Sequence, residues 1–334
     1  MNSFGRIFRV HIFGESHGPS VGVTIDGCPP GVLLTEEDFN KDLERRKGGI
    51  QKGTTPRKED DIPIFVSGVF NNKTTGAPLT ILFHNSNIRS SDYEKQQAIP
   101  RPGHADFVAG KKFKGFQDYR GGGHFSGRLT VCLVAAGVIA KKILTAIQIK
   151  AEIIEIGGEK NIEAGLQKAI DAKDSVGGII ECTVNGLPVG LGEPFYDSAE
   201  SLISHAVFAI PAIKGIEFGA GFNAAKMLGT QHNDPIINET GQTATNNAGG
   251  IVGGITNGNP VVFRIVVKPT SSTPKEQESW NTEANKIEKF SVKGRHDLCI
   301  ALRVPPVLEA VTAIVLLDMM MVNQAVPANL TIVA

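Results

Sequence analysis

The chain has 334 residues, of which 41% are hydrophobic and 20% charged, values typical of a soluble globular protein. Its 34 basic and 34 acidic residues balance, so the sequence predicts neither a nucleic-acid partner nor a membrane-surface partner. Four scattered cysteines without a CxxC pair favour buried thiols in a reducing compartment over disulfides or zinc. The N-terminal residues contain no long apolar run, so we expect no signal peptide.

Short strands and helices follow one another without a regular βαβ alternation. Runs rich in Val, Ile and Phe between Gly, Pro or Asn predict strands at 7–13, 22–25, 64–69, 79–83, 152–156, 178–184 and 261–267. Apolar periodicity and capping signals predict helices at 35–46, 128–147, 161–173, 199–208 and 307–322. Thr35 and Asp38 have the spacing of a capping box at the start of the first helix.

Two segments, 129–148 and 304–322, are apolar enough to raise the question of a membrane span. The first contains Lys141 and Lys142, and the second contains Glu309 and Asp318, so both predict buried core helices instead. No Pro/Ser-rich linker divides the chain, which favours a single α+β domain over residues 1–334. Helices that are apolar all round need cover on every side, which sheets outside a helical layer would provide.

Four of the eight histidines lie in glycine-punctuated segments next to charged residues. His17 lies in GESHG, His104 in RPGHAD, His124 in RGGGHFSGR and His296 in GRHD. Loops between rigid elements are where functional residues concentrate, and histidine suits acid–base work near neutral pH. A single loop histidine is more often structural than catalytic, but the set of four indicates a site.

Arginines are concentrated in the first 128 residues, which hold nine of the twelve and a local excess of 4 positive charges. Arginine binds phosphate and carboxylate bidentately, so a small polyanionic ligand is one interpretation. Counts alone favour the other, which is a set of surface ion pairs.

Glycine-rich and hydroxyl-rich segments offer further anion sites. RGGGHFSGR could turn backbone N–H groups toward an anion, or could be a plain turn, and it lacks the Walker pattern. Two further segments are the glycine-rich residues 246–258, NNAGGIVGGITNG, and the hydroxyl-rich residues 268–272, KPTSS. They suit a phosphate or the polar edge of a flavin. The alternative interpretation is a strand end followed by a proline turn. The GxGxxA match at 219–224 lacks the βαβ context of a dinucleotide-binding fold. No metal-ligand motif is found, so no metal site is expected.

Six motifs in order resemble the chorismate synthase family: GESHG at 14–18, RPGHAD at 101–106, DYRGGG with SGR at 118–128, TNNAGGIVGGITNG at 245–258, KPTSS at 268–272 and GRHD at 294–297. The resemblance implies a β-α-β sandwich with a helical layer between antiparallel sheets. It also implies a cytoplasmic homotetramer that acts at the last common step of aromatic amino-acid biosynthesis. The implied reaction is an anti-1,4-elimination of phosphate from 5-enolpyruvylshikimate 3-phosphate, which needs reduced FMN without net redox change.

The resemblance also assigns site residues. His17 matches the acid at the leaving phosphate and His104 the acid at the reduced flavin. Asp297 matches the aspartate that works with flavin N5 in removing the C6 proton, and Ser16 and Ser126 orient this network. Substrate-binding positions carry over to Arg46, Lys52, Arg101 and Arg128. Cofactor-binding positions carry over to His124, Phe125, Ser126, Ala212, Gly253, Lys268, Pro269, Thr270, Ser271, Ser272 and Arg295.

The chain departs from the family pattern in three places. Members often have three basic residues and Pro-Gly where this chain has Arg45-Arg46-Lys47-Gly48-Gly49. His124 stands where many members have a flavin-contacting arginine, and Lys52 also stands where arginine is usual. Anion affinity could therefore be weaker or redistributed.

Two other functions are consistent with parts of the sequence. An FMN-binding electron-transfer or storage protein would need no pair of acid histidines beside arginines. A phosphotransferase that uses the GGG loop as a phosphate cradle would need a Mg²⁺-binding carboxylate set, for which the sequence offers no clear candidate. No inserted segment suggests a built-in reductase, so we expect an external flavin reductase or NAD(P)H system as a partner.

Overall fold

The computed structural model describes residues 2–49, 52–57, 59–87, 98–292 and 296–325. The helices are α1 (Glu37–Arg46), α2 (Asp106–Lys112), α3 (Thr130–Ile143), α4 (Ile162–Ala172), α5 (Ala199–Val207), α6 (Gly229–His232) and α7 (Pro305–Ala325). The strands are β1 (Ser3–Phe4), β2 (Arg9–Gly14), β3 (Ser20–Asp26), β4 (Ile64–Ser67), β5 (Val69–Phe70), β6 (Lys73–Thr74), β7 (Leu79–His84), β8 (Gln148–Ile156), β9 (Gly178–Asn185), β10 (Ile213–Phe218), β11 (Ile251–Val252), β12 (Ile255–Thr256), β13 (Val261–Val267), β14 (Gln277–Asn281) and β15 (Lys286–Phe290).

Two antiparallel sheets form the outer layers. The first has strand order β1-β2-β3-β7-β4, and the second has order β10-β13-β9-β8. In the first sheet Val23 pairs with Ile12 on one side and Ile81 on the other, and in the second Phe263 pairs with Cys182. Residues alternate between buried and less buried along β7 and β9, so each sheet turns one apolar face toward the core.

Helices α3 and α7 form the layer between the sheets. Helix α3 packs against the first sheet, α7 packs against the second, and the two helices pack against each other. Gly137 permits this close approach, since a Cβ added there would lie 2.3 Å from the Cβ of Ala310. The expected sandwich with a helical layer between antiparallel sheets is therefore confirmed.

The apolar segments are core helices, as predicted. Residues Pro305–Gln324 of α7 are long and apolar enough to span a membrane, but 83% of their most apolar stretch is buried inside the protein. Most of α3 is also buried. The capping box of α1 is only half formed, since Asp38 accepts a hydrogen bond from the backbone N–H of Thr35 at 2.8 Å, whereas no side chain caps the first turn.

The carboxylate of Asp318, on α7, fastens the N-terminal segment to the core. It accepts hydrogen bonds from the backbone N–H groups of Arg6, Ile7 and Phe8 at 2.8–2.9 Å. We expect Asp318→Asn to lower the free energy of unfolding by about 2 kcal/mol, because the neutral amide replaces charge-assisted hydrogen bonds by weaker ones and turns an NH₂ donor toward the N–H of Arg6. Urea unfolding checks this, with the exposed Asp171→Asn variant of α4 as control. Equal unfolding free energies for the two variants would contradict it.

Candidate active site

A cavity of about 720 Å³ extends from the first sheet to α7. Its volume lies within the range of roughly 300–1,000 Å³ usual for ligand sites. Apolar side chains such as Val10, Leu133 and Ile314 form part of the wall. The rest is strongly charged and includes five arginines, Arg46, Arg57, Arg101, Arg128 and Arg303. Such a cavity suits a ligand that combines an apolar ring with anionic groups.

The glycine loop lies between two of the predicted histidines. Gly121, Gly122 and Gly123 have φ of 60°, 84° and 53°, values that residues with a side chain rarely adopt. A Cβ on Gly121 would lie 2.5 Å from Cδ2 of His17, and a Cβ on Gly122 would lie 3.3 Å from Cε1 of His104. His17 and His104 therefore pack against two adjacent glycines of the loop. Because glycine has no side chain, there is room for both rings.

His104 is oriented by the carboxylate of Asp106. The two residues approach within 2.5 Å between Nδ1 and Oδ1, so Nδ1 carries the donated proton. Asp106 also accepts hydrogen bonds from Nε and Nη2 of Arg101 at 2.7 and 2.8 Å. Burial alone would raise the pKa of Asp106, but the hydrogen bonds from Arg101 and His104 outweigh it and hold that pKa well below its ordinary value. Arg101 in turn donates from Nη1 to Oγ of Ser272 at 3.1 Å.

Ser16, beside His17, is bound by an arginine that sequence reasoning did not single out. Arg57 donates from Nη1 to Oγ of Ser16 at 3.2 Å and from Nη2 to Glu59 at 2.6 Å. His17 itself is 6% exposed. Neither Ser16 nor His17 is a wall residue of the large cavity, but both contact the wall through Gly121.

Two predicted clamp arginines share one carboxylate. Arg46 and Arg128 both pair with Asp61, which is fully buried and was not predicted. The hydroxyl of Ser126, also predicted, accepts a hydrogen bond from the backbone N–H of Arg128 at 3.3 Å and so helps to begin the helical segment that carries this arginine.

Asp297 is anchored at the cavity wall. It accepts a hydrogen bond from Nη1 of Arg303 at 2.9 Å and another from the backbone N–H of Thr55 at 2.9 Å. Arg303 also donates from Nε to the carbonyl oxygen of Arg46 at 2.8 Å. Arg303 was not predicted either, and it connects the segment of Asp297 to the arginine clamp.

The predicted flavin segments converge on the same cavity. Its lining includes His124, Phe125, Ser126, Ala212, Lys268, Thr270, Ser271 and Ser272. The backbone N–H of Lys268 donates to the carbonyl of Ala212 at 2.9 Å, which joins two of these segments. Burial, together with the charge of Lys214, lowers the pKa of Lys268 below its ordinary value. The hydroxyl of Thr270 is buried and has no hydrogen-bond partner among the described residues, as expected of a ligand-binding group.

His124 is tied to the segment of His17. Its Nδ1 lies 2.8 Å from the carbonyl oxygen of Gly14, so this nitrogen donates the hydrogen bond. The ring of His124 is thus held by the backbone just before GESHG.

Some predicted positions lie away from this cavity. Lys52 is exposed and donates to Gln167 at 3.4 Å, and Gly253 lies exposed in the turn between β11 and β12. Pro269 is adjacent to the lining but not part of it. Arg295 lies outside the described residues.

Comparison with known proteins shows which family the chain belongs to. The family model described as chorismate synthase matches residues 8–321. A protein from Chitinophaga pinensis named chorismate synthase is 69% identical over 325 residues, covering 97% of this chain and 98% of its own length. The chain belongs to the chorismate synthase family. Another relative with that name, from Korarchaeum cryptofilum, is 42% identical over 95% of this chain and 97% of its own length.

A solved structure supports the fold of this chorismate synthase family member. The structure is titled "Crystal Structure of Chorismate Synthase", has a TM-score of 0.73 and 24% identity, and covers 96% of this chain and 93% of its own. The family's reaction is a flavin-dependent elimination that yields chorismate, so the chain is a carbon–oxygen lyase of the shikimate pathway and of aromatic amino-acid biosynthesis. It is a soluble biosynthetic enzyme that acts on a small molecule.

Proposed function

We propose that the large cavity is where this chain converts 5-enolpyruvylshikimate 3-phosphate to chorismate with reduced FMN. Phosphate leaves C3 and a proton leaves C6, so the substrate is neither oxidised nor reduced overall. The observation that carries the proposal is the glycine loop, which lies between His17 and His104 at the edge of an arginine-lined cavity.

His17 is the proposed acid at the leaving phosphate. Negative charge develops on the phosphate as it leaves, and a positioned proton donor and nearby cations stabilise that charge. His17 contacts Gly121, and Ser16 beside it is held by Arg57, so a cation lies within the same contact network. Arg46, Arg101 and Arg128 are the proposed clamp for the phosphate and the two carboxylates of the substrate.

The flavin is the proposed neighbour of His104. Arg101 connects His104 to Ser272, since its Nη2 lies 3.3 Å from Nε2 of His104 and its Nη1 donates to Ser272. The hydroxyl of Thr270, which has no hydrogen-bond partner among the described residues, lies in the same segment as Ser272. These groups, with Lys268, Ser271 and the wall residues His124, Phe125 and Ala212, fit the polar edge and phosphate of FMN. When bound, reduced FMN would supply electron density as phosphate departs and recover it as the C6 hydrogen is lost.

Asp297 is proposed to work with N5 of the bound flavin in C6 proton removal, and Ser126 is proposed to orient the loop that carries Arg128. Arg303 and Thr55 hold the Asp297 carboxylate at the wall. Roles for Lys52, Gly253, Pro269 and Arg295 remain predictions.

We also propose a single domain over residues 1–334, a homotetramer, a cytoplasmic location and an external flavin reductase or NAD(P)H system as partner. Large exposed apolar side chains support association between copies. They include Phe195, Tyr196 and Phe222, which are 89%, 94% and 84% exposed in one chain.

An anaerobic assay tests the proposed function. We expect phosphate and chorismate to form together with reduced FMN and not with oxidised FMN, while the flavin is unchanged at the end. Equal turnover with oxidised flavin, or without any, would contradict the proposal. Flavin oxidation without phosphate release would instead support an electron-transfer protein.

Replacement of the clamp arginines should weaken substrate binding. Arg128→Ala and Arg101→Ala are expected to raise KM by about 10–100-fold, because each removes charge-assisted hydrogen bonds worth about 1.5–3 kcal/mol. Arg128 is the cleaner test, since Arg101 also contacts His104. Arg6→Ala, which removes an exposed pair with Asp197, is the control. Unchanged KM in both clamp variants would place substrate recognition elsewhere.

A further inference from the structure

Asp61 lies between two cationic side chains on different elements. Its Oδ2 accepts a hydrogen bond from Nη2 of Arg46 at 2.5 Å, and its Oδ1 accepts one from Nη1 of Arg128. Arg46 is the last residue of α1, and Arg128 lies in the turn before α3. All three side chains line the large cavity. One carboxylate therefore sets the relative position of two arginines that the chain brings from distant segments.

The backbone at Asp61 has an unusual conformation that accompanies the inward orientation of its side chain. Asp61 has φ of 53°, in the left-handed region that few residues other than glycine adopt, although aspartate tolerates it better than most. Its neighbours Asp60 and Ile62 are exposed, whereas Asp61 has no exposed surface in its side chain. A strained backbone with an inward polar side chain is typical of a functional position.

The charges of the three residues depend on one another. Burial alone would raise the pKa of Asp61, but Arg46 and Arg128 outweigh it and hold that pKa below its ordinary value. Arg46 and Arg128 are only 3% and 6% exposed, so water cannot screen their mutual repulsion well. Without the carboxylate, two buried like charges would lie side by side and would separate or turn away.

Both guanidinium groups retain donors for a ligand. Arg46 binds Thr130 and Asp61 through its two Nη atoms, and its Nε has no hydrogen-bond partner among the described residues. Arg128 binds Asn85 through Nε and the carbonyl of His84 through Nη2. A guanidinium has five N–H donors, so these bonds fix the plane of each group without using all of its donors.

We propose that Asp61 is a positioning residue for substrate recognition. Its carboxylate aligns the guanidinium groups of Arg46 and Arg128 in the cavity so that their remaining N–H groups bind an anionic group of the substrate. The inference rests on the proposed function, because it takes that substrate to be 5-enolpyruvylshikimate 3-phosphate. Asp61 itself need not touch the substrate, and acts through the two arginines.

The test compares Asp61→Asn with a matched control in the full chain. Glu309 is also a buried carboxylate shared by two cations, Arg45 and Lys141, but it does not line the cavity. Glu309→Gln is therefore expected to lower stability and leave KM unchanged. Asp61→Asn is expected to raise both the KM and the Kd of the substrate by about tenfold or more, while kcat at saturation changes less than about threefold and FMN affinity is unchanged.

Several outcomes would overturn the inference. One is a folded Asp61→Asn enzyme with wild-type KM, and another is tighter substrate binding, which would make Asp61 a competitor of the substrate for the arginines. If Asp61→Asn does not fold, Asp61→Glu keeps the charge and displaces the carboxylate by one methylene. Its KM should rise by about fivefold, and an unchanged KM would equally refute the positioning role. Failure of the proposed function would appear in the wild type, as a chain that neither binds nor converts the substrate. Failure of the positioning role would appear only in the Asp61 variants.

Discussion

Alanine in place of His17 or His104 is expected to lower kcat by about 10²–10⁴-fold while the protein stays folded. Both rings contact the glycine loop, and each has a defined neighbour, Ser16 for His17 and Asp106 for His104. A positioned acid of this kind contributes to the transition state, so its loss should appear in kcat and in kcat/KM alike. Asp297→Asn is expected to lower kcat by at least about tenfold.

The two histidine variants should also differ from each other. If His104 meets the flavin, its loss should change the spectrum or affinity of bound reduced FMN. If His17 meets the phosphate, its loss should spare flavin binding and weaken the response to substrate. Melting temperature measured on the same variants separates catalysis from structure. A stable variant of either histidine with full kcat would show that the acid has been assigned to the wrong residue.

The fold could be predicted well where apolar patterns are local. Strands β2, β3, β7, β9 and β13 lie where runs of Val, Ile and Phe stand between breakers, and the core helices lie where the apolar segments are longest. Strand β10 was missed because Gly215 and a register shift interrupt its short pattern. The hairpin of β14 and β15 was missed because it is largely polar, with half of its residues exposed and no run of apolar residues.

Site residues could be predicted only where a motif or the family resemblance marks them. His17 and His104 lie in glycine-rich motifs, whereas Arg57, Asp61 and Arg303 are single charged residues whose sequence neighbours say little. Their importance arises from partners far away in the chain, such as Arg128 for Asp61. A sequence pattern cannot supply such pairings without the fold.

The structure also decides between two interpretations of glycine-rich segments. The GxGxxA match at 219–224 follows β10, whose neighbour β13 is antiparallel, and a short 3-10 turn follows in place of a crossover helix. It is therefore not a dinucleotide-binding unit. In the GGG loop, residues 121–123, the space that a side chain would occupy is filled by His17, His104 and the carbonyl oxygen of Asp118. The loop makes room there for the rings of His17 and His104, the two proposed acids, which a phosphate-cradle interpretation does not require.

Gly121→Ala is expected to reduce kcat by about tenfold or more, through His17. The added Cβ would lie 2.5 Å from Cδ2 and 2.6 Å from Nε2 of His17, so the ring must shift. The φ of 60° adds backbone strain, and we expect an additional loss of about 1–3 kcal/mol in unfolding free energy. A misplacement of about 1 Å at a catalytic group can cost about 10²-fold in rate. Gly127→Ala is the matched control in the same segment, because its Cβ would meet nothing within 4 Å and its φ is not positive.

The kind of defect is as informative as its size. Gly121→Ala should behave as a weaker form of His17→Ala, with flavin binding intact and the phosphate step slowed. Gly122→Ala, whose Cβ would lie 3.3 Å from His104, should instead change the spectrum or affinity of bound reduced FMN. The two glycines are adjacent, so a general disruption of the loop would give both variants the same defect. Distinct defects would show that the loop positions each histidine separately, whereas a Gly121→Ala enzyme that matches Gly127→Ala in kcat would mean that the contact with His17 has no catalytic role.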